Sequence, residues 1–234
     1  MGARALTGQG VVWRRFVRWA LNRLYHQFAW TYDWVSWIVS MGQWRSWQRA
    51  ALPYLRGRRV LEVAHGTGDL LLDLVGLGFS PVGLDASPAM SRIAGGKLRR
   101  ALGGPGLRVP LLRAQVEALP FAAGSFQALA ATFPTEYVAD PAAIAEFYRV
   151  LTPGGALVCV PAAQITGGTW GDRWAAWLFR VTGQSASDWC TPLVGRYAAA
   201  GFRARAEAVR QARSIVTVII AEKAAAGQNA GLGA

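Results

Sequence analysis

The sequence predicts an α/β fold, a doubly wound and mostly parallel sheet, and three observations carry that prediction. Val60-Leu61-Glu62-Val63 is a short apolar run that leads into Ala64-His65-Gly66-Thr67-Gly68-Asp69 and then into Leu70-Leu71-Leu72-Asp73-Leu74. That order reads as a buried strand, a tight glycine turn and a helix. A second run, Pro81-Val82-Gly83-Leu84, ends in Asp85, which lies 17 residues past Gly68 (85 − 68). Beyond it, strand-like and helix-period segments keep alternating, the pattern of βαβ units.

The glycine turn reads as the cradle of a nucleoside cofactor, because a side chain at Gly66 or Gly68 would stand between the backbone and a ligand laid across the strand end. Leu71 occupies the place where a dinucleotide fingerprint needs its third glycine, which disfavours nicotinamide and flavin cofactors. No Gly-Lys-Ser/Thr follows the turn, so it is not a Walker loop. Asp85 stands about where α/β nucleoside sites place a ribose-binding carboxylate. Its other reading is a cap for the helix that starts near Ser87-Pro88.

Taken in order, Ser87 to Leu102 reads as a helix stopped by Gly103-Gly104-Pro105-Gly106, and Leu107 to Arg113 as the third strand. The apolar stretch Ser125 to Thr132 suits a fourth strand covered on both faces. Phe133-Pro134-Thr135-Glu136-Tyr137 then emerges at the carboxyl edge, where open α/β sheets hold their ligands, so Glu136 reads as a substrate-facing acid or as an ordinary loop charge. Pro141 to Leu151 reads as a helix, Thr152 to Gly155 as a turn and Ala156 to Val160 as the fifth strand. Trp170, Trp174, Trp177 and Leu178 lie at helical spacing and, with Phe179, either roof a lipophilic pocket or pack on the core. A helix ending at Gly201 precedes a final hairpin, Arg203 to Arg210 and Ile215 to Ala221.

These motifs, with Ala118-Leu119-Pro120-Phe121 and Arg149-Val150-Leu151-Thr152-Pro153-Gly154-Gly155, resemble in order and spacing those of class I S-adenosylmethionine-dependent methyltransferases. The resemblance implies a seven-stranded Rossmann-like sheet and S-adenosyl-L-methionine as cofactor. Its residues here would be Glu62, Ala64, Gly66, Gly68, Asp85, Ala86, Gln115, Val116 and Thr132. Gln115 stands where the family's adenine loop usually carries an Asp; its side-chain oxygen can still accept a hydrogen bond, without charge assistance. Phe28 to Trp47 is similar to the N-terminal lid of ubiquinone and menaquinone C-methyltransferases, with Tyr32-Asp33, Ser40-Met41-Gly42 and Arg45-Ser46-Trp47 as the matching pairs and turns. By that likeness Tyr32 would cover the cofactor; its other reading is a core tyrosine with a satisfied hydroxyl. Methyl transfer from a sulfonium needs alignment and shielding from water more than a strong base. His65, inside the turn, is nonetheless a catalytic candidate alongside Glu136 and Tyr137.

Residues 1–56 differ in composition from the rest and read as a helical lid, with 57–223 as the cofactor domain and 224–234 as a flexible tail of small residues. Seven of the eleven tryptophans fall within residues 1–50, together with seven arginines (4, 14, 15, 18, 23, 45 and 49) against Asp33 alone, a net of +6 (7 − 1). From Val11 to Phe28, Trp13, Phe16, Val17, Ala20, Leu21 and Leu24 share one helical stripe, with Arg14, Arg15 and Arg18 opposite. This composition suits a helix lying in an anionic lipid interface, or equally an amphipathic helix packed on its own domain.

The chain as a whole carries +12, which favours an anionic partner such as a membrane surface or nucleic acid. Nucleic-acid methylation is disfavoured, since no Asn/Asp-Pro-Pro-Tyr/Phe/Trp motif is present. Two cysteines give no disulfide framework, and two histidines offer little to a metal, so the expectation is no metal site and a cytoplasmic, reducing setting. No run of ~20 apolar residues offers a membrane span, and the start lacks a signal-peptide pattern. The function expected is methylation of a small lipophilic acceptor, such as a quinone-type ring precursor. A phospholipid headgroup is the alternative acceptor, and a non-catalytic protein using its Trp-rich arm as a docking surface is the alternative of another class.

Overall fold

The computed structural model describes residues 40, 42–103, 109–170, 172 and 187–225. The expectations for Tyr32, for the helix from Val11 to Phe28 and for Trp174, Trp177, Leu178 and Phe179 lie outside these residues.

Seven strands form one sheet: β1 Arg59–Val63, β2 Ser80–Leu84, β3 Leu111–Leu112, β4 Phe126–Thr132, β5 Leu151–Ile165, β6 Phe202–Gln211 and β7 Ser214–Lys223. Their spatial order is β3-β2-β1-β4-β5-β7-β6. β1 pairs in parallel with β2 and β4, as do β2 with β3 and β4 with β5. β7 runs antiparallel to both β5 and β6. The helices are α1 Trp44–Arg49, α2 Asp69–Gly76, α3 Pro88–Leu102, α4 Pro141–Val150 and α5 Ser187–Ala199. The chain winds from β1 outward to β3 and then returns to β4 on the other side of β1, so the gap between β1 and β4 is the switch point at which such sheets bind ligands.

Local chemistry explains most of these boundaries. α3 starts at Pro88 with Ser87 as its cap, Ser87 Oγ accepting from Met90 N, and it ends at Gly103 in the left-handed region with Arg99 and Arg100 in its last turn. α4 is capped by Asp140, whose carboxylate accepts the Ala142 N–H at 2.7 Å. The fifth strand is longer than the sequence suggests. Leu151 already pairs with Phe126, residues 152–155 bulge out around Gly154 (φ 77°), and pairing with β4 resumes at Ala156. Beyond Val160 the strand continues to Ile165, held there by β7 rather than by β4. Partners on the far side thus decide its length, which local turn chemistry reads as a stop.

The sheet is covered on both faces. Leu61, Val63, Leu129 and Leu157 point into a layer with Ile144 and Phe147 of α4 and Leu193 and Tyr197 of α5. Val60, Ala128, Ala130, Val158 and Val160 point into the opposite layer with Trp47 of α1 and Leu70 and Leu74 of α2. Trp47, Ala50, Ala51 and Leu55, which fall in the segment read as a lid, are buried members of this second core. α1 is fastened at several points. Arg45 and Arg49 each make two bonds to the Asp73 carboxylate of α2, at 3.2 and 2.7 Å and at 2.8 and 2.7 Å. Trp47 Nε1 donates to Ser214 Oγ at 2.8 Å, and Ser46 Oγ donates to Gln211 Oε1 at 2.9 Å. Two of the arm's seven arginines are therefore matched to an acid of α2 and do not act as free surface charge.

Candidate functional site

The carboxyl ends of β1, β2, β3 and β4 carry the expected cofactor residues that lie among the described ones. After β1 the chain turns through Ala64 (φ 54°), Gly66 (φ 55°) and Gly68 (φ 82°), conformations that L side chains avoid and glycine accepts. A Cβ placed on Gly66 meets nothing within 4 Å, so the turn has open space on that side, as a ligand cradle requires. A Cβ on Gly68 would come within 2.9 Å of Ala94 Cβ, so the packing of α3 on the turn also requires glycine there. Thr67 and Asp69 are held from α3 by Lys97, whose ammonium donates to Asp69 Oδ1 at 2.8 Å and to Thr67 Oγ1 at 3.2 Å.

Asp85, at the end of β2, is 5% exposed and accepts the Gly66 N–H at 2.9 Å and the Ser87 N–H at 2.8 Å. The helix cap is Ser87, so Asp85 instead ties the glycine turn to the start of α3. Each carboxylate oxygen keeps capacity for a further donor. Ala86 is exposed, and its carbonyl accepts from Arg113 Nε at 3.2 Å. In the loop after β3, Gln115 is exposed beside the buried Val116, an arrangement open to a flat base.

Glu62 is fully buried, and neither carboxylate oxygen has a hydrogen-bond partner in the protein. Burial, then the nearby Asp69, Asp85 and Asp73, push its carboxyl well above the usual range. A buried acid without a partner is costly unless a cation or donor meets it. Thr132, which ends β4, accepts from Gln48 Nε2 at 3.2 Å. The next residue, Phe133, has φ 49°, and its ring stacks on Trp44 at 4.2 Å with Trp47 at 5.9 Å.

The three catalytic candidates do not converge. His65 is 2% exposed, its Nδ1 is 2.9 Å from Gly66 O, and a Cβ on Gly83 would lie 2.9 Å from its Cδ2. The ring thus packs toward β2, on the side of β1 away from β4, and burial lowers its pKa. Glu136 and Tyr137 lie in a short 3-10 helix, Glu136–Ala139, beyond β4; Glu136 is exposed and Tyr137 packs partly buried on the core. Sequence reasoning missed Gln48, Lys97 and Asp73, whose partners lie 84, 28 and 24 to 28 residues away.

The residues fit a cationic nucleoside cofactor: an open glycine turn, a strand-end carboxylate and a buried acid lacking a partner. A model of the ubiE/COQ5 methyltransferase family matches residues 16–187, a span that includes all of these features. The chain belongs to the ubiE/COQ5 methyltransferase family. A demethylmenaquinone methyltransferase of Thermus thermophilus is 35% identical over 164 residues, covering 68% of this chain and 73% of that protein. A ubiquinone/menaquinone biosynthesis C-methyltransferase UbiE of Rhizobium johnstonii is 31% identical over 174 residues, or 70% of this chain and 66% of the other. Among solved structures, one from Thermotoga maritima, described as a SAM-dependent methyltransferase and possible histamine N-methyltransferase, matches with a TM-score of 0.59 at 20% identity. It covers 86% of this chain and 98% of its own, a likeness of fold. This family member is an S-adenosylmethionine-dependent methyltransferase built on the Rossmann-like sheet. Among the described residues no helix is long and apolar enough to cross a membrane.

Proposed function

We propose that the enzyme methylates a carbon of a quinone-type ring precursor, a small lipophilic acceptor. The observation that carries this reading is the aromatic wall at the end of β4, where Phe133 stacks on Trp44 at 4.2 Å beside the switch point. A flat apolar ring is the acceptor such a wall suits, through offset stacking. The names of the Thermus thermophilus and Rhizobium johnstonii relatives point to the same substrate class. S-adenosylmethionine supplies the sulfonium methyl. In this reading Glu62, Ala64, Gly66 and Thr132 receive its amino-acid end, Asp85 and Ala86 its ribose, and Gln115 and Val116 its base, with Tyr32 as cover. Gly68 keeps the turn's shape. Glu136 and Tyr137, beyond β4, are nearer the acceptor side than His65.

The test is transfer of labelled methyl from S-adenosylmethionine to a short-chain demethylated quinol and, in parallel, to phosphatidylethanolamine vesicles. Label in the quinol is expected. Label in the phospholipid alone would overturn the reading. We further infer that the basic, aromatic segment from Val11 to Phe28 draws the enzyme to anionic membrane surfaces, where such acceptors dissolve. Wild type should pellet with anionic liposomes more than the Arg14, Arg15 and Arg18→Gln variant, and equal pelleting would reject this.

A further inference from the structure

Gln48 is not among the residues that the motifs single out, yet it sits at the reaction edge of the sheet. Its side chain is 7% exposed. Nε2 donates to Thr132 Oγ1 at 3.2 Å, while Oε1 is buried without a hydrogen-bond partner in the protein. On this face, among the described residues, the two oxygens of Glu62 share that property, as does His65 Nε2, which lies toward β2. The sheet register brings these groups to one place. Glu62 pairs with Ala130 across β1 and β4, and Thr132, two residues on, points to the same face. With strands about 4.8 Å apart and a rise of about 3.3 Å per residue, such diagonal neighbours lie about 8 Å apart, within reach of long side chains. Gln48 arrives from the other side, on α1, whose position is fixed by the Arg45 and Arg49 bonds to Asp73 and by Trp47 on Ser214.

The chemistry of the three oxygens is uniform. All are acceptors, one pair belongs to a carboxylate, and a single group with three N–H donors and a positive charge can serve them together. A carboxylate cannot, because an amide oxygen has no proton to give it. A neutral hydroxyl would serve one oxygen and leave the acid unmatched. We propose that Gln48, through Oε1, binds the ammonium of the cofactor's amino-acid end and completes with Glu62 a three-oxygen cage. α1 is then part of the cofactor site, and its seating on α2 and the β6–β7 turn positions a ligand-binding atom. The proposal rests on placing that end of the cofactor beside Glu62.

The test compares S-adenosylhomocysteine with its analogue lacking the α-amino group, by calorimetry on the full-length protein, with thermal melting to monitor the fold. Wild type should prefer the amine-bearing ligand; equal binding of the two would mean that the ammonium is not beside Glu62, and the proposal falls with that placement. Gln48→Met keeps length and removes the acceptor, and should narrow the preference about tenfold, ~1.4 kcal/mol. A merely structural role for Gln48 would weaken both ligands alike and leave the ratio unchanged, which overturns the proposal. Gln48→Glu keeps the oxygen and adds charge, and should hold or widen the ratio. If the methionine variant does not fold, the glutamate variant decides alone, and a narrowed ratio there rejects the assignment.

Discussion

Asp85 and Gly66 are joined by a hydrogen bond of 2.9 Å, so the acid that ends β2 braces the glycine turn that ends β1. The same carboxylate accepts the Ser87 N–H, and one buried side chain thereby sets the relative positions of a turn, a strand end and a helix start. The sequence alone predicts that Asp85→Ala weakens cofactor binding with little change in stability. The two backbone bonds alter the second half of that expectation. Affinity for S-adenosylmethionine should fall by about 1.5–3 kcal/mol, and unfolding free energy by about 1–3 kcal/mol, because two N–H groups lose their acceptor. Calorimetry and urea titration check the two losses; unaltered affinity in a folded variant would remove Asp85 from the site.

Glu62 sets a pH dependence of the opposite sign to an ordinary ion-paired acid. Its folded-state pKa is raised by burial and by three neighbouring acids, so the folded protein binds this proton more tightly than the unfolded chain does. The stability is complete below the unfolded value of about 4.3 and is lost as pH rises toward the folded one. Glu62→Gln should raise the melting temperature of the ligand-free protein near neutral pH and flatten its decline with pH, while weakening S-adenosylmethionine binding. A variant that melts below wild type throughout would contradict the assignment.

Asp73 behaves conversely. Burial alone would raise its carboxyl, but the hydrogen bonds from Arg49 and Arg45 outweigh it and hold the pKa below the usual carboxylate value. That contribution is present above the unfolded value of about 3.9 and is lost as pH falls through the folded one. Both guanidinium groups are about half exposed, which reduces the gain by solvent screening. Asp73→Asn should therefore cost only about 1–2 kcal/mol at neutral pH, and the gap from wild type should close in acid. Denaturant titrations at about pH 7 and pH 3 measure it; a gap unchanged in acid would mean that the carboxylate is not what fastens α1.

Ala64 occupies a left-handed backbone position, φ 54°, where a Cβ is strained. Ala64→Gly should relieve that strain, a gain of about 1–2 kcal/mol offset by the greater freedom of glycine in the unfolded chain, ~0.4–1 kcal/mol. The net expectation is a slightly higher melting temperature and unimpaired cofactor binding. A clear loss of either would show that the alanine methyl makes a contact worth more than the strain.

Local sequence was enough for the strand, turn and helix around Gly66, for the strand ending in Asp85, for the helix from Pro88 to Leu102 and for the final hairpin. Each is encoded within a few residues, by apolar period, by glycine at positive φ or by capping chemistry. The same local evidence gave no sign that Gly68 also answers to Ala94 on a later helix, which leaves no room for a Cβ there. It also left His65 open as a base, and only the sheet order, with β2 and β4 on opposite sides of β1, turns its ring away from the edge of β4. Gln48 on Thr132, Arg45 and Arg49 on Asp73, and the orphaned oxygens of Glu62 were invisible for the same reason. Such pairings join residues tens of positions apart, and no periodicity of the chain records them. They are decided when strands settle into register and helices pack across them, which fixes the neighbours that a buried polar group must find.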